Sequence, residues 1–222
     1  MYKLLFIDEE KDTLDDFQNY VEKFNSKVKL SSLVQLPLQT IDDMIESIIK
    51  ISPDALIVDH RLNEMKTDIK YNVEYNGTDL VEEFQKIRNN FPCFILTAVD
   101  DEAVNQSDDV NIVYIKQVIY SGSEEKAKAK FLDKVIRQIE HYKSKIENAE
   151  KELRSLLLKR KFNNVDIEIE NRIIELDDFL EKSINANLSI PSEYKTLSNS
   201  NRLDSIINKV DELLKKLDDD KL

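Results

Sequence analysis

The amino-acid sequence predicts an α/β protein with a flavodoxin-like, doubly wound sheet of five parallel strands, followed by an all-α coiled-coil or three-helix bundle region. Three observations predict it. Short apolar runs alternate with segments of helical period in the first half, which is the pattern of βαβ units. Five such runs fit the strand order 2-1-3-4-5. After Gly122 the chain of 222 residues contains no glycine and only one proline, Pro191, which is the composition of a mostly helical region.

The five strands are predicted from short runs that are rich in apolar residues. Runs that are apolar throughout, rather than alternating, indicate strands buried on both faces, as in parallel sheets. Three of the runs end in a residue that could take part in chemistry. The runs cover residues 2–8, 27–36, 55–59, 93–98 and 112–116.

The helices between the strands are predicted from apolar residues that recur three or four positions apart. Segments 11–24, 40–51 and 78–91 have this spacing. Pro53 should end the second of them, since proline cannot continue a helix.

The second half of the chain has a different period. From residue 132 to residue 156 the apolar positions alternate in steps of three and four, which is typical of a coiled-coil seam. Further seams follow at 169–180 and 203–217, with a turn at Asn163–Asn164. An intramolecular antiparallel three-helix bundle and a helix paired between two chains, hence a homodimer, both fit this pattern.

We therefore predict two domains. Residues 1–122 form the first, with its last helix continuing to about residue 138, and residues 139–222 form a helical bundle or coiled-coil output region.

Charge and composition restrict the class of partner and the compartment. Residues 1–122 contain 12 Lys and Arg against 23 Asp and Glu, a net charge of −11, and residues 123–222 have a net charge of −1. Neither half has the basic surface that phosphate backbones attract, so we expect no nucleic-acid partner. No apolar run approaches the roughly 20 residues of a membrane span, and no leader pattern is visible. With Cys93 as the single cysteine, we expect a cytoplasmic protein without a membrane partner.

Chemically capable residues follow the predicted strands. In a doubly wound sheet, ligands bind beyond the carboxyl ends of the strands. Asp8 and Glu9 follow the first strand, whereas Asp59, Thr97 and Lys116 stand at the ends of the third, fourth and fifth. Clustered carboxylates favour Mg²⁺, and a carboxylate can attack a phosphoryl group whose charge an ammonium and a hydroxyl stabilise. The pattern predicts a phosphoryl-accepting site in which one of these carboxylates is the nucleophile.

These residues lie in segments that resemble the bacterial response-regulator receiver domain family. The matching segments are FIDEE, LIVD, ILTA and YIK at the strand ends, and GTDL at the start of the third helix. The resemblance covers about residues 1–138 and implies a phosphoryl transfer to Asp59 from a histidine kinase or phosphotransfer protein. It also implies that Asp8, Glu9, Asp59 and the main-chain carbonyl of Arg61 bind Mg²⁺. Thr97 and Lys116 would then contact the phosphoryl group.

The sequence departs from the family pattern in four places. Glu9 stands where an aspartate is usual, Gln117 where a proline is usual, and Val113 where an aromatic switch residue is usual; the neighbouring Tyr114 should face the opposite side of the strand. The segment between Asp59 and Gly77 is about ten residues longer than the family norm, as the resemblance implies.

Two functions remain open at this point. The first is a response regulator of a phosphorelay, in which phosphorylated Asp59 switches the interactions of the helical region with an unknown output protein. The second is a receiver-like structural adaptor that does not switch. We expect no enzyme activity, because a phosphatase with an aspartate nucleophile needs a second aspartate two positions on, where Arg61 stands. We interpret His60 as a core or surface residue, His141 as part of a solvated helix face, and Cys93 as a core residue.

Overall fold

The computed structural model describes residues 1–64, 69–98, 110–117, 130–162 and 167–195. Its described strands form one parallel sheet in the order β2-β1-β3-β4-β5, so the predicted doubly wound architecture is confirmed. The strands are β1 (Tyr2–Ile7), β2 (Leu30–Gln35), β3 (Ala55–Asp59), β4 (Cys93–Thr97) and β5 (Val113–Ile115).

The described ranges contain five helices, and the predicted helical region after the sheet is confirmed. They are α1 (Lys11–Lys23), α2 (Ile41–Ile51), α3 (Gly77–Ile87), α4 (Phe131–Phe162) and α5 (Ile167–Asn185). Short 3₁₀ turns cover Val110–Ile112, Ala186–Leu188 and Ser192–Tyr194. None of the described helices combines the length and the apolar character needed to cross a bilayer.

Local signals set the ends of helices α2 and α3. The Thr40 hydroxyl accepts a hydrogen bond from the Asp43 N–H and caps α2. The residue that follows the helix, Ser52, is in the left-handed region just before Pro53. Asn76 and Asp79 form a reciprocal capping box at the start of α3. Such caps satisfy N–H groups that have no partner inside the helix, and each contributes about 1 kcal/mol.

Helix α3 is shorter than its apolar spacing predicts. The prediction ran to residue 91, but the helix ends at Ile87. Asn90 has a φ of 59°, and this left-handed residue turns the chain before Pro92. The apolar spacing continues to Phe91 because this ring packs against Phe84 from outside the helix, with centroids 5.3 Å apart.

Burial follows the order of the strands. The apolar residues of the central strands β1 and β3 are fully buried from Leu4 to Ile7 and from Ala55 to Val58, whereas the edge strands β2 and β5 are largely half-buried. On one face, alternate strand residues form a core with α1 and the beginning of α4. The members of this core on the helices are Leu14, Phe17, Val21, Phe131, Leu132, Val135 and Ile139.

The chain divides into two compact units, Met1–Ser144 and Lys145–Leu222, and the division falls within α4. In the first unit, α4 still contacts the rest of the unit through its twelfth and thirteenth residues. The Tyr142 ring lies 5.7 Å from that of Phe91, and Lys143 forms a 2.6 Å salt bridge with Asp54. The predicted domain boundaries, 1–122 with a helix to about 138 and then 139–222, also place the junction within this helix.

The second unit contains the rest of α4, helix α5 and the segment that follows it. Ile173 and Leu176 of the predicted second seam are buried, as is Ala149 of the first. Arg172 of α5 forms a bidentate pair with Glu152 of α4, at 2.8 and 2.9 Å. The predicted turn at Asn163–Asn164 and the third seam at 203–217 lie outside the described residues.

Candidate functional site

The structure brings the five predicted side chains to one edge of the sheet. Asp8 and Glu9 follow β1, Asp59 ends β3, Thr97 ends β4 and Lys116 follows β5. The parallel register aligns these carboxyl ends, with Asp59 opposite Leu96 and Thr97 opposite Ile115. The carboxyl side chains and Thr97 are nearly inaccessible, at 4% exposure or less. Buried polar groups of this kind need partners, and the geometry supplies several.

Lys116 connects two of the carboxylates. Its Nζ lies 2.7 Å from Asp8 Oδ2 and 2.7 Å from Asp59 Oδ1, and the lysine side chain is 18% exposed. At these distances the contacts are charge-assisted hydrogen bonds. A cation held between two buried carboxylates lowers the cost of keeping both ionised.

Main-chain N–H groups orient the remaining oxygens of the two aspartates. The Arg61 N–H donates to Asp59 Oδ2 at 2.8 Å, and the Glu10 N–H donates to Asp8 Oδ1 at 2.9 Å. Each aspartate thus accepts from the backbone two residues further on, which is an Asx-type turn. The strand ends and these turns together fix the direction of both carboxylates.

Glu9 completes an acidic cluster that can hold a cation. Oxygen atoms of Asp8, Glu9 and Asp59 lie within 4.8 Å of one another. Glu9 Oε2 is buried and has no hydrogen-bond partner among the described residues. Three carboxylates and one ammonium have a charge of −2 when all are ionised. An oxygen-rich site of this charge fits a hard divalent cation such as Mg²⁺.

The pKa values of the cluster reflect this crowding. Burial, and then the charges of Asp59 and Asp8, raise the pKa of Glu9 to about 8. Burial is also the main reason that the pKa of Asp8 is raised, although Lys116 opposes the shift. For Lys116, burial acts to lower the pKa, but the two aspartates outweigh it and the pKa is raised. Lys116 therefore stays protonated, while Glu9 is the group that gains a proton near neutral pH.

Arg61, a predicted ligand through its carbonyl, lies in a turn next to the cluster. Its carbonyl oxygen accepts from the Glu64 N–H at 3.2 Å, and its guanidinium pairs with the Glu64 carboxylate at 2.9 Å. A carbonyl oxygen has two lone pairs, so this hydrogen bond leaves one for a metal. Metal binding by Arg61 stays a prediction.

Gly77 allows α3 to begin directly against the end of β3. A Cβ at this position would lie 2.0 Å from the Asp59 carbonyl oxygen and 3.1 Å from the His60 Cα. The Gly77 N–H donates to the His60 carbonyl at 2.8 Å. The family resemblance identified this glycine as the start of a helix. Its close approach to the backbone of Asp59 explains why glycine stands at this position.

The long segment between Asp59 and Gly77 is anchored by two tyrosines that the sequence did not single out. The Tyr71 hydroxyl donates to the Pro37 carbonyl at 2.7 Å, and the Tyr75 hydroxyl donates to the Leu38 carbonyl at 2.9 Å. Leu62, Val73 and Tyr75 are buried. The sequence signal for this anchoring was the presence of tyrosines in a mainly polar insertion. The insertion thus extends from the end of β3 to the loop after β2, and β1 is the strand between them.

The remaining candidates have structural surroundings. Tyr114 packs between Phe94 and Phe131, on the side predicted from strand alternation. Buried His60 has its Nδ1 3.1 Å from the Thr78 hydroxyl. His141 is exposed on α4, as we interpreted it. Cys93 is a buried free thiol whose pKa is raised by burial, so it is not a reactive cysteine.

Comparison with solved structures reveals similar chains, all at low sequence identity. The crystal structure of anti-anti-sigma factor PhyR from Bartonella quintana is 12% identical with a TM-score of 0.42; the match covers 67% of this chain and 51% of that one, about half its length. RcsB from Salmonella enterica serovar Typhimurium, bound to promoter P1flhDC in the presence of phosphomimetic BeF3-, is 16% identical with a TM-score of 0.38, covering 82% and 91%. A complex of the two-component response regulator RcsB with DNA is 16% identical with a TM-score of 0.39, covering 89% and 98%.

The matching structures include a two-component response regulator, and the likeness concerns the fold alone. No protein-family model and no curated protein sequence match the chain.

One prediction about partners is wrong. Charge counts led us to exclude nucleic acid, yet two of the similar structures are complexes of RcsB with DNA or a promoter. DNA binding is a property of RcsB in those structures. The physical reason for the correction is that a net charge summed over half a chain averages out local basic patches, so it cannot exclude a class of partner.

Proposed function

We propose that this chain is a response regulator in which Asp59 accepts a phosphoryl group from a histidine kinase or phosphotransfer protein in a Mg²⁺-dependent reaction. The observation that carries the proposal is the contact of one ammonium, Lys116, with both Asp8 and Asp59 at 2.7 Å, beside a buried oxygen of Glu9 that has no partner among the described residues. A structural ion pair would need one carboxylate. Three carboxylates around one ammonium leave negative charge that a cation and a phosphoryl group can use.

The transfer itself needs one oxygen of Asp59. That oxygen forms a bond to phosphorus while the phosphorus–nitrogen bond of the donor phosphohistidine breaks, and the electron pair of that bond stays on the histidine. Oδ1 suits this role, since its partner is the end of a flexible lysine, whereas Oδ2 accepts from the Arg61 N–H. Lys116 would then pair with an oxygen of the transferred group, and the Thr97 hydroxyl would donate to another.

Mg²⁺, when bound, would supply charge neutralisation between the acidic cluster and the incoming phosphoryl oxygens. Asp8, Glu9, Asp59 and the Arg61 carbonyl are the groups that would hold it. The deep burial of Asp8 and Glu9, at 0% and 4% exposure, supports direct ligation by these carboxylates.

The product would be an acyl phosphate that alters the edge of the sheet at β4 and β5, where Thr97 and Lys116 stand. We propose that this change controls protein–protein interactions of the C-terminal helical region, and that the chain does not turn over a substrate as an enzyme would. A cytoplasmic location fits the buried, reduced thiol of Cys93.

The adaptor that does not switch remains the second candidate, and the enclosure of the site favours it. Asp59 is only 4% exposed and is held by Lys116, so a phosphodonor must displace a buried salt bridge. In that case the acidic cluster would be a structural element only.

Intact-mass measurement after incubation with acetyl phosphate tests the proposal. One phosphoryl group should be added in the presence of Mg²⁺, and none in EDTA or in Asp59→Asn. Asp42→Asn, on the exposed part of α2, is the matched control and should be phosphorylated normally. If folded wild-type protein gains no phosphoryl group, or if Asp59→Asn gains one as readily, the switch reading fails and the adaptor is preferred.

A further inference from the structure

A groove lies between the insertion and helix α2, away from the acidic cluster. Its volume is about 480 Å³, within the range of roughly 300–1,000 Å³ that ligand sites occupy. It is open to solvent along its length and mostly apolar. The lining side chains that matter here are Leu38, Tyr71, Asp43, Glu46, Ser47 and Lys50.

Both walls of the groove are fixed. Tyr71 is held at its hydroxyl by the Pro37 carbonyl, yet 39% of the residue is exposed, so the chain presents an anchored aromatic surface to solvent. The opposite wall is α2, which is held by the buried Met44, Ile45 and Ile48 on its inner side. A preformed groove of this kind binds without first paying the entropy of ordering its own side chains.

The charge along α2 selects for cations. Asp43 and Glu46 stand one turn apart on its exposed side, and neither forms a salt bridge with any described residue. The Asp43 carboxylate accepts only from the Thr40 hydroxyl, at 2.7 Å, among the described groups. Lys50 stands one further turn along the helix. The surrounding domain adds to the field, since residues 1–122 have a net charge of −11.

We propose that this groove is a docking site for a protein segment that presents an arginine or lysine beside an apolar side chain. The apolar side chain would lie on Leu38 and the Tyr71 ring, and the cation would pair with Asp43 and Glu46. Arginine suits both contacts because it pairs with carboxylates and stacks on aromatic faces. An acidic segment is disfavoured by the two carboxylates. The groove shares no residue with the phosphoryl-accepting cluster, so a failure of the proposed function would not contradict this inference.

The probes are synthetic peptides added to the full-length ¹⁵N-labelled protein, followed by amide chemical shifts. The first peptide alternates arginine with leucine, the second replaces arginine by glutamate, and the third replaces leucine by serine. The first peptide should give saturable shifts at Leu38, Tyr71 and the exposed side of α2, and the other two should not.

Substitutions in the groove test which residues bind the first peptide. Asp43→Asn combined with Glu46→Gln should weaken binding of the first peptide by about fivefold or more, which is the size expected for two partly exposed ion pairs. Tyr71→Ala should abolish saturable binding, with circular dichroism used to verify that the fold is kept. Asp15→Asn combined with Asp16→Asn, on the exposed side of α1, removes the same charge elsewhere and should leave affinity unchanged.

Three results would overturn the inference. The first is the absence of saturable shifts in the groove with the arginine–leucine peptide. The second is an equal loss of affinity in the α1 and α2 double variants, which would show that the peptide responds to the net charge of the protein and not to the groove. The third is binding of the glutamate peptide at the same residues.

Discussion

Replacing Glu9 with glutamine should stabilise the metal-free protein at alkaline pH. Glu9 is 4% exposed, and its Oε2 has no hydrogen-bond partner among the described residues. Burial, followed by the charges of Asp59 and Asp8, raises its pKa from 4.5 to about 8. Glutamine keeps the shape of the side chain and cannot ionise.

The sign and size of the change in the free energy of unfolding follow from the linkage between proton binding and folding. A carboxyl with a raised pKa binds its proton more tightly in the folded state, so its favourable contribution is complete below pH 4.5 and is lost as the pH rises towards about 8. With 1.36 kcal/mol per pH unit, the interval corresponds to an upper limit of about 5 kcal/mol. Because the full interval is an upper limit, we expect Glu9→Gln to raise the free energy of unfolding by about 2–4 kcal/mol at about pH 8.5.

Urea denaturation in EDTA, at about pH 5 and about pH 8.5, measures this difference. At the lower pH the variant and the wild type should be nearly equal, because Glu9 is then mostly protonated. Glu22→Gln, on the exposed side of α1, is the matched control and should show no such pH dependence. A Glu9→Gln effect that is the same at both pH values would refute the assignment of Glu9 as the buried carboxyl whose ionisation destabilises the folded state. Mg²⁺ should stabilise the wild type more than the variant, since the variant lacks one ligand.

Four further variants test other contacts. Lys116→Met should lower the free energy of unfolding in EDTA by about 2–4 kcal/mol, because two buried carboxylates lose their ammonium; no loss, or no partial recovery with Mg²⁺, would argue against the charge balance proposed here. Gly77→Ala should lower it by more than about 2 kcal/mol by pushing α3 from the Asp59 carbonyl, and a neutral result in a thermal melt would contradict the close approach. Tyr142→Ala should cost about 3 kcal/mol and Lys143→Ala under about 1 kcal/mol, because the ring is buried whereas the lysine side chain is 44% exposed; equal losses on urea denaturation would contradict this packing.

The sheet and the residues at its edge were predictable because the necessary information is local. Each buried strand is a contiguous apolar run, and a parallel sheet brings all its carboxyl ends to the same edge. Once the order of strands is set, Asp8, Asp59 and Lys116 must meet even though more than 100 residues separate the first from the last. The sequence predicts that Lys116 lies near these aspartates, whereas its contact with both of them at once is visible only in the structure.

Other features were not predictable because they depend on contacts between distant segments. Nothing near Tyr71 or Tyr75 in the sequence indicates that their hydroxyls reach the loop after β2. The coiled-coil spacing is the same on both sides of Ser144, so the period alone cannot show that α4 still packs on Phe91 through Tyr142. The end of α3 was misplaced for a similar reason, since Phe91 continues the apolar period from a turn.

The charge argument also has a physical limit. Summed charge describes the far field of a domain, which affects encounter rates and non-specific attraction. Binding depends on the arrangement of a few side chains within a Debye length of about 10 Å. The net charge of −11 over residues 1–122 and the pair Asp43 and Glu46 are therefore different kinds of observation, and only the second is local enough to define a site.

The way in which the insertion is fastened has a consequence for sequence variation and for engineering. Both tyrosine hydroxyls donate to main-chain carbonyls, at positions 37 and 38, rather than to side chains. The fastening therefore tolerates many side chains in the receiving loop, provided that the backbone keeps its path, but it cannot survive the loss of the hydroxyls themselves. Side-chain changes at positions 37 and 38 should accordingly be tolerated, whereas Tyr71→Phe or Tyr75→Phe should loosen the segment that leads into α3 beside Asp59.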